Sequence, residues 1–294
     1  MTAGTALDVP PLLRGLCDDA AIFPPGNLPL DRAVPAHREH RAAGHAGLVG
    51  AFVLDADRLP QLAGLVAGRP GGSLDVALTV ADPASAAAAL SVAEGIAAVR
   101  VVGLEVAVPA GLAVGEVVPV LDAAVDGRRG VTVFVELPRD ERRPDLVRAL
   151  AGTGLLAKLR TGGVRAELYP GEEELARAVV ATARAGLPFK ATAGLHHALR
   201  NTDPRTGFEQ HGFLNVLTAV DAALSGADVD DVEQLLAERD PDVVTGRIRA
   251  AAGRAPRVRE QFRSFGTCSI AEPRDELVAL GLLDSADPTN GDPR

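Results

Sequence analysis

The sequence predicts an α/β fold, a (β/α)8 TIM barrel, on three observations. Short apolar, β-branched runs alternate with Ala/Leu/Arg segments of helical period along the 294 residues. The runs are continuous rather than alternating, the mark of parallel strands buried on both faces. No early strand opens into a dinucleotide glycine motif, which disfavours the doubly wound sheet, the main rival. A chain of this length suits a single barrel. Strands are expected at 21–23, 47–54, 74–80, 99–106, 131–137, 155–159, 188–192 and 262–269. Helices are expected between them at 33–43, 59–67, 83–94, 114–125, 143–152 and 172–185. The last of these follows Tyr169-Pro170-Gly171 and opens on Glu172, Glu173 and Glu174, acids suited to the positive end of a helix dipole. The stretch after the seventh strand is too long for one crossover. It predicts further helices around 213–224, 229–238 and 243–252, which either cap the barrel or form a contact between copies in a homo-oligomer. The barrel domain is therefore expected over 1–283, with a helical insertion at about 198–261. A polar, Pro- and Gly-rich flexible tail follows at 284–294.

A 47% hydrophobic content supports a core, and the lack of Trp makes that core one of Val, Leu and Ala. The net charge of −9 argues against nucleic acid or an anionic membrane as partner. A small-molecule substrate, expected to be anionic, then needs a local cationic cluster. Cys17 and Cys268 have no metal-ligand spacing and read as reduced thiols. No apolar stretch is long enough to span a bilayer, and residues 1–17 lack the pattern of a signal peptide, so the expectation is a cytoplasmic protein.

The chain contains only two lysines, Lys158 and Lys190, among many arginines. A composition this rich in Ala, Gly, Arg and Val points to drift from Lys to Arg, so surviving lysines are candidates for chemistry that a guanidinium cannot perform. Lysine can lose its proton and attack a carbonyl. Each of the two ends an apolar run that breaks into glycine (LLAKLRTGG and LPFKATAGLHH). In a barrel the C-terminal ends of strands carry function. Those ends collect Asp18 and Asp19, Asp55, Glu105, Glu136, Lys158 with Arg160, Lys190 with Thr192, and the FGTCS segment. Side chains alternate along a strand, so Lys158 and Arg160 share a face, as do Lys190 and Thr192. On adjacent strands the two ammonium groups are expected to lower each other's pKa.

These residues resemble the deoxyribose-phosphate aldolases, class I aldolase barrels. That family carries Lys-Thr-Ser-Thr-Gly on strand six, where this chain has Lys158-Leu159-Arg160-Thr161-Gly162. It carries Phe-Lys-Pro-Ala-Gly-Gly on strand seven, where this chain has Phe189-Lys190-Ala191-Thr192-Ala193-Gly194. On strand eight, Gly-Ala/Thr-Ser-Ser corresponds to Gly266-Thr267-Cys268-Ser269, and Glu136 likewise closes strand five. The resemblance covers under a third of the chain. It implies a lyase of Schiff-base type acting on a small carbonyl or sugar-phosphate-like substrate without a cofactor. Lys158 would be the nucleophile and Lys190 its pKa tuner. Gly162, Gly194, Cys268 and Ser269 would line a phosphate pocket. The family's proton-relay Asp has no counterpart, leaving Glu105, Glu136 or a histidine for that role. Arg160 replaces a small residue and would crowd the mouth or clamp an anion, Ala193 replaces a glycine, and His196 with His197 is additional.

Competing readings follow from the same residues. The lysines can be structural, closing ion pairs to Glu136 or Asp55. Asp55, Glu105 and Glu136 can instead hold Mg²⁺ in an enolising lyase or isomerase, with the lysines as acid and base. A non-catalytic barrel that binds a small anion is the third. His37, His40 and His45 are read as an exposed helical face rather than metal ligands, His211 as a residue that caps or packs at a helix start, and Cys268 as a small buried hydrophobe.

Overall fold

The computed structural model describes residues 7–67 and 72–285. Eight parallel strands close into a barrel: β1 (Cys17–Asp19), β2 (Val49–Asp55), β3 (Leu74–Val80), β4 (Val99–Val106), β5 (Thr132–Glu136), β6 (Leu156–Arg160), β7 (Phe189–Thr192) and β10 (Phe262–Thr267). The order around the wall is sequential, with β10 pairing β7 on one side and β1 on the other. The expected (β/α)8 barrel is therefore the observed fold. Its wall helices are α1 (Leu30–Ala42), α2 (Leu59–Val66), α3 (Ala86–Glu94), α4 (Val114–Val125), α5 (Arg143–Leu150), α6 (Glu172–Arg184), α7 (Phe213–Leu224) and α11 (Ala271–Ala279). Strand residues that face the helices are Val, Leu, Ala and Phe with little or no exposure, as in β6, where Ala157 and Leu159 are buried. Burial of such apolar surface holds the layers together.

Between β7 and β10 the chain first forms a two-stranded antiparallel ribbon, β8 (Asn201–Thr202) with β9 (Glu209–Gln210). It then runs through α7, α8 (Val229–Ala237), α9 (Pro241–Ala251) and α10 (Ala255–Gln261). Helix α7 is buried from Phe213 to Val220 and packs on α6 and β10, so it completes the wall. Helix α8 lies across α6 and α7, and α9 lies on α7. The added helices thus thicken the flank and do not cap the barrel mouth. Asp228 caps α8 by accepting from Asp231 N at 3.0 Å, and Asp240 caps α9 by accepting from Asp242 N at 2.8 Å. No helix among the described residues is long and apolar enough to cross a membrane.

The first strand differs from its prediction. It runs through Cys17–Asp19, and the apolar residues 21–23 form the turn that follows, with Phe23 N donating to Ala20 O at 2.9 Å. Two adjacent acids masked the strand, because ordinary periodicity does not anticipate carboxylates inside a barrel. Helices α10 and α11 and the ribbon were also not foreseen. Only Pro273 and Leu277 of α11 are buried, too few to show a period. Of the tail expected at 284–294, residues 286–294 lie outside the described residues.

Candidate functional site

A cavity of about 860 Å³ opens at the C-terminal end of the barrel. Its floor and wall include Glu105, Glu136, Lys158 and Arg160, while Thr192, His196, Gly266 and Cys268 line another side. Pairing registers explain the convergence. Glu136, Lys158 and Lys190 stand opposite one another on β5, β6 and β7. All three side chains project inward, because Ala157, Leu159 and Ala191 occupy the alternate, helix-facing positions.

The ionised groups form one alternating network. Arg160 Nε donates to Glu136 Oε1 at 2.8 Å, and Lys158 Nζ lies 2.9 Å from Glu136 Oε2 and 3.4 Å from Glu105 Oε2. Lys190 Nζ donates to Glu105 Oε1 and to Asp18 Oδ2, each at 2.6 Å. Asp18 also accepts from Ser264 Oγ at 2.6 Å and from Ala51 N at 2.9 Å. Three cations therefore meet three carboxylates, which is how a barrel interior can hold so many charges. The Lys190 ammonium additionally sits 5.4 Å from the centre of the Phe134 ring.

This geometry changes the expected electrostatics. The sequence led us to expect that the two ammonium groups would depress each other. Burial does pull the Lys190 pKa down, but Asp18 and Glu105 outweigh it, and the net shift is upward. Glu105, placed between the lysines, is what separates their charges. Burial would raise Glu105, yet the Lys190 and Lys158 ammoniums hold its carboxyl below the ordinary carboxylate range. Burial likewise opposes, and Lys158 and Arg160 overcome, a shift that brings Glu136 down to about 2.

A pH dependence of stability follows. The folded value of Glu136 lies below its ordinary 4.5, so its pairing stabilises the fold fully above that pH and is lost as pH falls toward about 2. The contribution is on the order of 3 kcal/mol. Thermal melts of the wild type should show a falling melting temperature across this window. Glu136→Gln should be less stable near neutrality and lose less on acidification. An equally steep acid loss in Glu136→Gln would disprove the assignment.

Several predicted residues fall elsewhere. Gly162 and Gly194 do not line the cavity. They pack against each other beneath Tyr169: a Cβ on Gly162 would lie 2.6 Å from the ring and 2.7 Å from the Gly194 Cα. Gly194 adopts φ +74°, and a Cβ there would lie 2.8 Å from both the Gly162 Cα and the Thr161 carbonyl oxygen. Close backbone approach at these two positions requires glycine. Gly194→Ala is expected to cost about 1–3 kcal/mol in denaturant unfolding; a neutral result would show that the β6 and β7 loops can separate freely. Ser269 does not reach the cavity either. Its hydroxyl accepts from Glu272 N at 3.2 Å at the start of α11. Gly266, Cys268, Arg160 and His196 line the cavity, and Cys268, read as a small buried hydrophobe, is partly exposed there.

Cys268 Sγ lies 3.4 Å from His196 Nδ1. Burial raises the thiol to about 11, and burial, aided by His197, lowers His196 to about 4, so the pair is a neutral thiol beside a neutral imidazole. His197 turns away to Glu276 at 2.6 Å. The histidines of α1 and the turn after it are not an exposed face: His37 and His45 are buried, and His37 Nδ1 pairs with Asp19 Oδ2 at 3.0 Å. His211 is a packing residue, fully buried with Nε2 donating to Pro170 O at 2.9 Å.

Asp55 faces the cavity but accepts from Asp57 N at 2.9 Å, capping the turn Ala56–Arg58. Glu105 and Glu136 are each already engaged by two cations. Among the described residues no group of three His, Cys, Asp or Glu side chains is placed to hold a metal ion. Sequence reasoning placed Asp18 at a strand end without naming its partner, and missed Ser264, Phe134 and Tyr169. It also missed Gly50, where any Cβ would collide with the Asp18 carboxylate. A glycine facing an acid across neighbouring strands was the available signal.

No family model and no curated protein matches the sequence. Among solved structures, the chain is similar to a protein assigned as a deoxyribose-phosphate aldolase from Toxoplasma gondii ME49. The two are 14% identical, with 95% of this chain and 96% of that chain covered and a TM-score of 0.41. It is also similar to a protein assigned as a phosphonomutase from Burkholderia cenocepacia J2315, 14% identical, with 84% and 96% covered and a TM-score of 0.38. The likeness is one of fold.

Proposed function

We propose that the protein is a lyase of Schiff-base aldolase type acting on a small carbonyl compound, with Lys158 as nucleophile. One observation carries the reading: of the two lysines, only Lys158 lines the cavity, and its amine stands between Glu136 and Glu105. Lys190 is 1% exposed and held by two carboxylates below.

The chemistry runs through these groups. Lys158 gives up a proton and its nitrogen lone pair attacks the carbonyl carbon. The resulting carbinolamine loses water to become an iminium. Cleavage of the C–C bond then sends its electron pair into the iminium, while a base takes the proton of the leaving hydroxyl. When Lys158 is a neutral amine or carbinolamine, Glu136 and Glu105 lose one of the cations that keep their proton affinity low. Their affinity rises at the moment a proton must be held. Lys190 keeps Glu105 oriented and the network neutral. Arg160 holds Glu136, and the neutral His196 imidazole stands at the wall as a hydrogen-bonding partner for a substrate oxygen.

The test is reductive trapping. The protein is incubated with a panel of aldehydes and ketones, reduced with borohydride, and its intact mass is read, with peptide mapping to set aside the α-amine. A covalent adduct on Lys158, absent from Lys158→Arg and retained in Lys190→Arg, is the expected result. No adduct across the panel would overturn the reading.

A further inference from the structure

We propose that the substrate of this site is an unphosphorylated carbonyl compound, and that Tyr169 is the residue that keeps a phosphate out. The inference rests on the Schiff-base reading for the carbonyl and on independent geometry for the phosphate.

Two observations carry it. The first is the cleft between the β6 and β7 loops. A phosphate is bound there only if its oxygens reach the backbone N–H groups of glycine-rich turns. The Tyr169 ring lies over this cleft, so close that a Cβ on Gly162 or Gly194 would fall 2.6 Å or 3.0 Å from it. The ring is itself backed by Phe208, with centroids 5.5 Å apart. Gly162 and Gly194 are thus sealed from the cavity, and the cavity wall at this point is made by Gly163, Leu168 and Ala193.

The second observation is charge. The cavity lining carries the carboxylates of Asp55, Asp57, Asp82, Glu105 and Glu136, against the cations Lys158 and Arg160. Both cations are already paired, with Glu105 and Glu136. His196, lowered to about 4, adds no positive charge near neutral pH. A phosphate dianion entering this space would meet excess like charge with no free cation to bind it. A neutral hydroxy-aldehyde or hydroxy-ketone meets no such barrier, and its hydroxyls suit a wall of carboxylates.

The experiment uses matched probes: glycolaldehyde against glycolaldehyde phosphate for borohydride trapping, and glycerol 3-phosphate for calorimetric binding. Glycerol 3-phosphate has no carbonyl, so its result is independent of Schiff-base chemistry. The full-length wild type, Tyr169→Phe and Tyr169→Ala are compared. We expect the wild type and Tyr169→Phe to trap glycolaldehyde about tenfold or more faster than its phosphate. Neither should give a saturable heat with glycerol 3-phosphate. Tyr169→Ala, which uncovers the glycines, should narrow the trapping ratio and gain glycerol 3-phosphate binding; a merely structural role would slow both aldehydes equally. Saturable glycerol 3-phosphate binding by the wild type, or faster trapping of glycolaldehyde phosphate, would overturn the proposal. An unchanged ratio in a folded Tyr169→Ala would remove Tyr169 as its cause. If no aldehyde is trapped at all, the Schiff-base reading fails, while the calorimetry still decides whether phosphate is excluded.

Discussion

Lys158→Arg is expected to abolish the borohydride-stable adduct and to lower turnover of the responsive carbonyl compound by on the order of 10⁴-fold or more, the scale on which removal of a covalent nucleophile acts. Arginine preserves the positive charge between Glu136 and Glu105, so the ion network and the fold are expected to survive. Its guanidinium stays protonated and cannot form the iminium. The variant therefore separates charge from nucleophilicity at one position. Turnover within tenfold of the wild type, measured on a substrate the wild type demonstrably cleaves, would exclude Lys158 as the nucleophile. Lys190→Arg provides the contrast. It keeps a cation beside Asp18 and Glu105, and its adduct on Lys158 should persist even if the bulkier head slows the reaction.

Lys190→Met is expected to show the largest stability loss of any single change in the barrel interior, about 3–5 kcal/mol in urea unfolding. The methionine fills much of the same volume, so little of this is packing. The loss arises because Asp18 and Glu105 each give up a hydrogen bond of 2.6 Å to an ammonium that is 1% exposed. Asp18 would retain Ser264 Oγ and Ala51 N, and Glu105 would retain only Lys158 at 3.4 Å. The pH dependence has a defined sign. In the wild type Lys190 helps hold the Glu105 carboxyl below its ordinary value, a stabilisation lost as pH falls through and below the ordinary carboxylate range, so the deficit of the variant relative to wild type should shrink there. A deficit under about 1 kcal/mol at neutral pH would mean that the network contributes little net stabilisation, as some buried ion pairs do.

These two predictions divide the lysines in a way their similar sequence settings do not. Both lysines end apolar runs that break into glycine, and both face inward on neighbouring strands in direct register. What separates them is depth and company. Lys190 meets Asp18, which arrives from β1 across the β10 seam, and Gly50 on β2 leaves the space for that carboxylate. Lys158 is flanked by Glu136 on the adjacent strand and opens to the cavity.

The sequence by itself determined the barrel, because parallel strands buried on both faces must be written as continuous apolar runs and helices must carry a longer period. It also determined that Lys158, Arg160, Glu136 and Glu105 sit at strand ends, since alternation along a strand fixes which residues share a face. Local pattern did not reveal β1, whose carboxylates look like a loop until a lysine from the far end of the chain is placed beside them. Nor did it show what the glycines do. The resemblance implied a phosphate cradle at Gly162 and Gly194, and only the tertiary structure shows how closely their backbones approach and that the Tyr169 ring packs against them. The tertiary structure likewise decided the charge state of the site: Coulomb interactions act through space, and the order Arg160, Glu136, Lys158, Glu105, Lys190, Asp18 exists only after barrel closure brings β1 to β10.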